Sequence, residues 1–249
     1  MTPDPCRIAM WSGPRNLSTA LMYAFAARGD CAVRDEPMYG AYLSATGIDH
    51  PMRDAVIGSQ WADHLDVAAD CLGPIPDGKA LFYQKHMTQH LIPAFDRRFM
   101  RGLTNVFLIR HPARVVASYA RKREQPTLAD IGFVRQAELF DEVAGWLGHA
   151  PLVIDSADIR ADAGAALSGL CAALKITFTP AMLHWPAGPK PFDGVWAPHW
   201  YNAVHASTGF EDPEAALPVL AAPDQALADR ALPYYRRLSA FSLGNLPKI

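Results

Sequence analysis

Cysteine is scarce: four in 249 residues, at Cys6, Cys31, Cys71 and Cys171, with no C-x-x-C pair. Such wide spacing gives no disulfide framework and is read as reduced, buried or half-buried thiols of a cytoplasmic protein. An excess of one charge is also missing. The chain sets 23 Lys and Arg against 25 Asp and Glu, a formal net charge of -2. No overall positive field therefore favours nucleic acid. No apolar run is long enough to cross a bilayer, so stable membrane insertion is not expected. The start, MTPDPCRIAM, has no sustained apolar core, and no signal peptide is read there. Internal repeats and low-complexity tracts are absent. His50 and His64 have no Cys or His at a ligand spacing beside them, so no metal is assigned.

What is present is apolar mass. Half of the residues are hydrophobic, ample for a buried core at this length. The stretch Arg7–Arg28, RIAMWSGPRNLSTALMYAFAAR, organises the rest. The apolar run Ile8 to Trp11 breaks at a tight Ser12-Gly13-Pro14-Arg15 turn. Leu17, Ala20, Leu21, Ala24 and Phe25 then fall at helical spacing, and Gly29-Asp30 ends the pattern. This reads as strand, loop, helix. A helix N-terminus presents unpaired N–H groups and the positive end of the macrodipole, which attract an anion. Arg15 adds a charge; Ser18 and Thr19 add hydroxyl donors. An ordinary turn with a surface Arg has the same pattern.

The loop is not G-x-x-x-x-G-K-[ST]. With Thr19 in the last place, Leu17 stands where the second Gly belongs and Ser18 where the Lys belongs. The cation has moved upstream, to Arg15. In this the loop resembles the 5′-phosphosulfate loop of the sulfotransferases, where a Pro-Lys/Arg pair precedes small and hydroxyl residues. Leu17 departs from that family's usual Gly.

A second motif lies further on. Asn105–Ile109 reads as a buried strand. Arg110-His111-Pro112 follows, then a helix over Ala113–Arg123, with Pro112 suited to its first turn. Sulfotransferases hold the 3′-phosphate of their donor with an Arg ending a strand and a Ser eight positions on. Arg110 and Ser118 have that spacing. Arg offers a forked, charge-assisted contact to phosphate, and the Ser hydroxyl a directional bond.

Cys31–Asp35 is the second strand candidate, stopped by Pro37, which puts Glu36 at its C-terminal end. Several sulfotransferases place a catalytic Glu there. Ala80–Lys85 is the third strand and runs into His86. Cytosolic sulfotransferases carry Lys-Thr-His at that place, with His as the base; here the Thr is missing, and His90 is a fallback. Leu152–Asp155 is the fifth strand. Helical patterns occupy Ala55–Leu72, Phe133 to Leu147 and Ala163–Leu174. The Trp185–Trp200 loop is rich in Pro, Gly and Trp. Gly194-Val195-Trp196 and Lys190 resemble, weakly, the loop that covers the nucleotide in the family; packing onto the core is the other reading.

Strands alternating with helices imply an α/β fold, a three-layer α/β/α sandwich around a mostly parallel sheet of about five strands. One domain is expected over residues 1–249, with a nucleotide-binding core at about 7–180 and a C-terminal loop and helices at 181–249. The resemblance implies a P-loop-like sulfotransferase using 3′-phosphoadenosine 5′-phosphosulfate and no metal. Arg15, Asn16, Leu17, Ser18 and Thr19 would hold the 5′-phosphosulfate, and Arg110 with Ser118 the 3′-phosphate. His86 or Glu36 would be the base, and Arg15 would stabilise the leaving group. The acceptor would be a small molecule, lipid or sugar. Tyr39, Tyr42, Trp61 and Trp196 hint at an apolar or cyclic alcohol. Two alternatives stay open: a kinase-like enzyme using ATP and Mg²⁺, and a non-catalytic protein that keeps only the 3′,5′-adenosine bisphosphate site. A homo-oligomer is neither required nor excluded.

Overall fold

The computed structural model describes residues 6–120 and 126–245. The leading MTPDP and the end of the basic cluster, Arg121 to Arg123, lie outside the described residues. Five strands form one sheet: β1 (Cys6–Ser12), β2 (Cys31–Asp35), β3 (Leu81–Met87), β4 (Thr104–Ile109) and β5 (Leu152–Asp155). Their order is β2-β3-β1-β4-β5 and every pairing is parallel.

Helices connect them. Between β1 and β2 runs α1 (Ser18–Ala26); between β2 and β3 run α2 (Tyr39–Thr46), α3 (Arg53–Ser59) and α4 (His64–Leu72). After β4 come α5 (Pro112–Ala120) and α6 (Phe133–Leu147). After β5 come α7 (Ser156–Ala161), α8 (Ala163–Ala173), the single turns α9 (Ala197–Trp200) and α10 (Asn202–His205), and the long α11 (Ala222–Ser239). No helix among the described residues is long and apolar enough to cross a membrane.

The layers follow from strand alternation. Along β1, Ile8 and Met10 face one way and pack with α1 and α8 through Leu21, Phe25 and Leu167. Ala9 and Trp11 face the other way and pack with α4, α6 and α11 through Val67, Phe140 and Leu238. A side chain such as Phe25 or Leu167, fully buried here, contributes roughly 1.5–3 kcal/mol by leaving water. Trp11 also keeps its polar edge satisfied, donating Nε1–H to Asn105 Oδ1 at 2.8 Å.

The sheet order positions the site. The chain lays β2 and β3 on one side of β1 and β4 and β5 on the other, so the winding reverses beside β1. In open parallel sheets a ligand crevice forms outside the strands' C-terminal ends at such a reversal. Ser12, Glu36, Met87 and Arg110 all stand at that edge.

Candidate active site

The loop between β1 and α1 owes its shape to two residues in left-handed backbone. Arg15 and Leu17 adopt positive φ, 63° and 71°. Leu17 therefore takes the conformation that a Gly would adopt without strain. Asn16 is buried and donates Nδ2–H to the Leu108 carbonyl at 3.2 Å, which ties the loop to β4. No side chain caps α1, so its first N–H groups point outward unsatisfied by a cap. Arg15, Asn16, Leu17, Ser18 and Thr19 all line one cavity of about 460 Å³.

Arg110 and Ser118 line the same cavity. Pro112 opens α5, and Ser118 lies near the helix's end, facing the loop. Arg15 donates Nε–H to Ser118 Oγ at 2.9 Å, and Arg110 donates Nη1–H to the Arg15 carbonyl at 2.8 Å. The two motifs, almost a hundred residues apart, thus meet through direct hydrogen bonds.

Glu36 follows β2 with φ 39°, a costly conformation for a non-Gly residue. Its N–H bonds the Lys85 carbonyl at 2.9 Å, and Gln60 donates to its carbonyl at 3.0 Å. Its side chain lines the cavity with Lys85, Tyr39 and His90. Lys85 Nζ donates to Glu36 Oε1 at 2.6 Å and to Asp35 Oδ1 at 2.9 Å, and meets the Tyr201 hydroxyl at 2.5 Å. Burial pushes the Glu36 carboxyl up; the Lys85 charge opposes this, and the Asp35 charge adds to it. Burial alone would lower the Lys85 ammonium, but the Asp35 and Glu36 charges together hold it above its ordinary value.

His86 is a correction. β3 runs on to Met87, because β1 keeps pairing with it as far as Ser12. His86 is thus inside the strand, and alternation turns it away from the face of Lys85 and Met87. Its ring stacks on Trp11 at 4.3 Å, and its Nε2 meets Gln84 Oε1 at 3.1 Å. Burial lowers it to about 3, so it stays neutral in the core. His90 does line the cavity, stacked on Tyr39 at 4.3 Å and Tyr42 at 4.9 Å, with Nδ1 3.8 Å from Glu36 Oε2. Burial, helped by His50, Lys85 and His86, pushes it well down.

Comparison with known proteins decides the family. A family model described as the sulfotransferase domain matches residues 6–242. The chain belongs to the sulfotransferase family. A solved sulfotransferase from Alicyclobacillus acidocaldarius shares its fold, with a TM-score of 0.54, 11% identity and 94% of each chain covered. Two curated relatives from Arabidopsis thaliana are named branched-chain-amino-acid aminotransferase-like proteins 1 and 2. They are 37% and 34% identical to this chain over 94% and 93% of its length. The chain spans about two fifths of each, 42% and 41%.

In this member of the family, the aromatic tail packs inward. Trp196 is buried and donates Nε1–H to the Tyr201 hydroxyl at 2.9 Å. Lys190 folds back on the Pro186 and Gly188 carbonyls of its own loop, at 2.7 and 2.6 Å. Trp61 is 60% exposed and lines a separate hollow beside Arg34 and Asp70. The sequence reading missed Tyr201, Arg114 and Arg160, all of which line the cavity. Arg114 had a signal: it stands four before Ser118, on the same face of α5. Tyr201 had none, since its partners Asp35 and Glu36 lie far away in sequence, at the end of β2.

Proposed function

We propose that this sulfotransferase moves a sulfuryl group from 3′-phosphoadenosine 5′-phosphosulfate to a hydroxyl (or amine) of a small-molecule, lipid or sugar acceptor. One observation carries the donor: the 15–19 loop and the Arg110–Ser118 pair share a cavity and are joined by the Arg15 to Ser118 bond of 2.9 Å. A nucleotide with anionic groups at its 5′ and 3′ positions needs two such sites close together. The loop N–H groups and Arg15 serve the 5′-phosphosulfate, and Arg110 and Ser118 the 3′-phosphate.

Glu36 is the proposed base, now that His86 faces the core. Its carboxyl, raised by burial, is better matched to proton abstraction near neutrality than an ordinary carboxylate. Lys85 and Tyr201 fix Oε1. As the acceptor oxygen bonds to sulfur, its proton passes to Glu36. The bond from sulfur to the bridging phosphate oxygen breaks, and the electron pair leaves with that oxygen. Arg15 and the loop N–H groups stabilise the charge that builds there. Tyr39 and Trp200, on the same cavity, offer aromatic faces to the acceptor.

Thermal unfolding with 3′,5′-adenosine bisphosphate, 5′-AMP, and ATP with Mg²⁺ tests this. At a hundred times its dissociation constant a ligand stabilises by about 2.7 kcal/mol. For a chain of this size that raises the midpoint by roughly 5–10 °C. A rise with the bisphosphate and a smaller one with AMP supports the donor. A rise only with ATP and Mg²⁺ overturns it in favour of a kinase-like reaction. Glu36→Gln should then abolish turnover and keep bisphosphate affinity; retained turnover removes Glu36 as base.

A further inference from the structure

The anion site at Arg110 already holds an anion, and it belongs to the protein. Glu214 lies in the irregular segment between α10 and α11, with its side chain only 7% exposed. Arg110 donates Nε–H to Glu214 Oε1 at 3.0 Å and also reaches it through Nη2. Arg114 Nε stands 2.7 Å from the other oxygen, Oε2. Two guanidinium groups, one at the end of β4 and one in the first turn of α5, therefore close on a single carboxylate. Arg114 also bonds the Ala215 carbonyl. Arg160 of α7 holds the segment's start, through Glu211 Oε2 and the Asp212 carbonyl, both at 2.6 Å.

We propose that Arg110 and Arg114 form a clamp for one phosphate-monoester dianion, and that Glu214 is its internal occupant, which the incoming anion displaces. The forked geometry by which guanidinium binds a carboxylate is the one by which it binds phosphate. Charge supplies the direction. Two guanidinium charges against one carboxylate leave a net positive charge at a site closed largely to solvent. A phosphate monoester carries about −1.5 to −2 at neutral pH and offers three oxygens, so it neutralises the clamp where Glu214 does not. Ser118, on the same face of α5 as Arg114, would take a further phosphate oxygen. As a site for the donor's 3′-phosphate the clamp rests on the reading above; as an anion clamp it does not. Part of the anion's binding free energy is consumed in expelling Glu214, so the wild-type site is weaker than its arginines alone would make it.

The variant Glu214→Gln keeps the shape and removes the competing charge. Calorimetric titration with inorganic phosphate and with 3′,5′-adenosine bisphosphate should show at least about tenfold tighter binding than wild type, the scale of one charge-assisted contact. Binding of 5′-AMP should stay unchanged. Adding Arg114→Ala to Glu214→Gln should cancel the gain. On the wild-type protein, a glutamate-specific protease should cut after Glu214 faster when phosphate or bisphosphate is saturating. Equal affinity for phosphate and bisphosphate in wild type and Glu214→Gln overturns the clamp, as does protection of Glu214 from cleavage. A gain for phosphate alone, with bisphosphate no tighter than AMP in either protein, upholds the clamp and removes the donor reading.

Discussion

Lys85 is held between two carboxylates and a phenol at a place almost closed to solvent. A buried ion pair contributes little net stability, but breaking one leaves an uncompensated charge that costs about 3–5 kcal/mol. Lys85→Met should therefore destabilise the fold by that amount in urea, with Asp35 and Glu36 left facing each other. Adding Asp35→Asn should recover part of the loss; no recovery would mean that Lys85 stabilises by packing alone. At this scale the sequence was partly legible. Arg15, Glu36 and Arg110 stand where apolar runs end, so their places were countable, while the roles of Glu36, Arg110 and Ser118 came from the resemblance to the sulfotransferases. His86 was read as lying just past a strand that ended at Lys85, and its role hung on one residue of register. In a strand one residue turns a side chain to the opposite face, and here that difference separates a cavity wall from a stack on Trp11. Glu214 and Tyr201 were illegible, because an acidic or aromatic residue in an irregular tail carries no periodicity that names its partner.

Among the elements, β2 and β5 have the bounds that their apolar runs define, Cys31–Asp35 and Leu152–Asp155. β3 begins one residue later than its composition suggests and ends two later, at Met87. A strand's end is set by how far its neighbour keeps pairing, and β1 continues to Ser12. The helical pattern at Ala55–Leu72 resolves into α3 and α4, separated where Asp63 caps α4 by accepting from the Leu65 N–H at 2.8 Å. The loops at the ligand edge support one another across the elements. Gln136 of α6 donates to the Trp11 carbonyl at 3.1 Å and the Leu108 carbonyl at 2.8 Å, pinning the ends of β1 and β4. Thr88 donates to the Gly132 carbonyl at 3.2 Å. Gly13 passes so close that a methyl group there would stand 2.6 Å from the Ile131 carbonyl oxygen. That oxygen belongs to backbone and cannot swing aside. Gly13→Ala should cost about 1–3 kcal/mol, as overpacking does, read from the urea midpoint. An unchanged midpoint would show that the two loops part freely and do not brace the site.

For the whole molecule, the buried histidines make stability depend on pH in a direction that can be worked out. His86 titrates at about 3 in the fold, lowered by burial, and near 6.5 when unfolded. Between those values the unfolded chain binds a proton that the native chain refuses. Its contribution is fully present above about pH 6.5 and is lost as pH falls toward 3. His90, pushed well down chiefly by burial, acts with the same sign. Glu36 acts against them: its carboxyl is raised by burial, so above the unfolded carboxylate range the native chain holds a proton that the unfolded chain has released. His111, lowered chiefly by burial, joins the histidines, and Asp155, raised chiefly by burial, joins Glu36. Three histidines oppose two carboxyls, so unfolding between pH 6.5 and 5 should take up protons, and stability should fall on acidification. A single such proton is worth about 1.4 kcal/mol per pH unit. His86→Leu, which removes a titrating group that the proposed chemistry does not use, should flatten the slope by about that much. Urea titrations of wild type and variant at several pH values across this window measure it. Equal slopes would mean that the core around Trp11 and Gln84 accepts a charged His86, and the histidine would then have to be reconsidered as a group that can exchange protons while the protein stays folded.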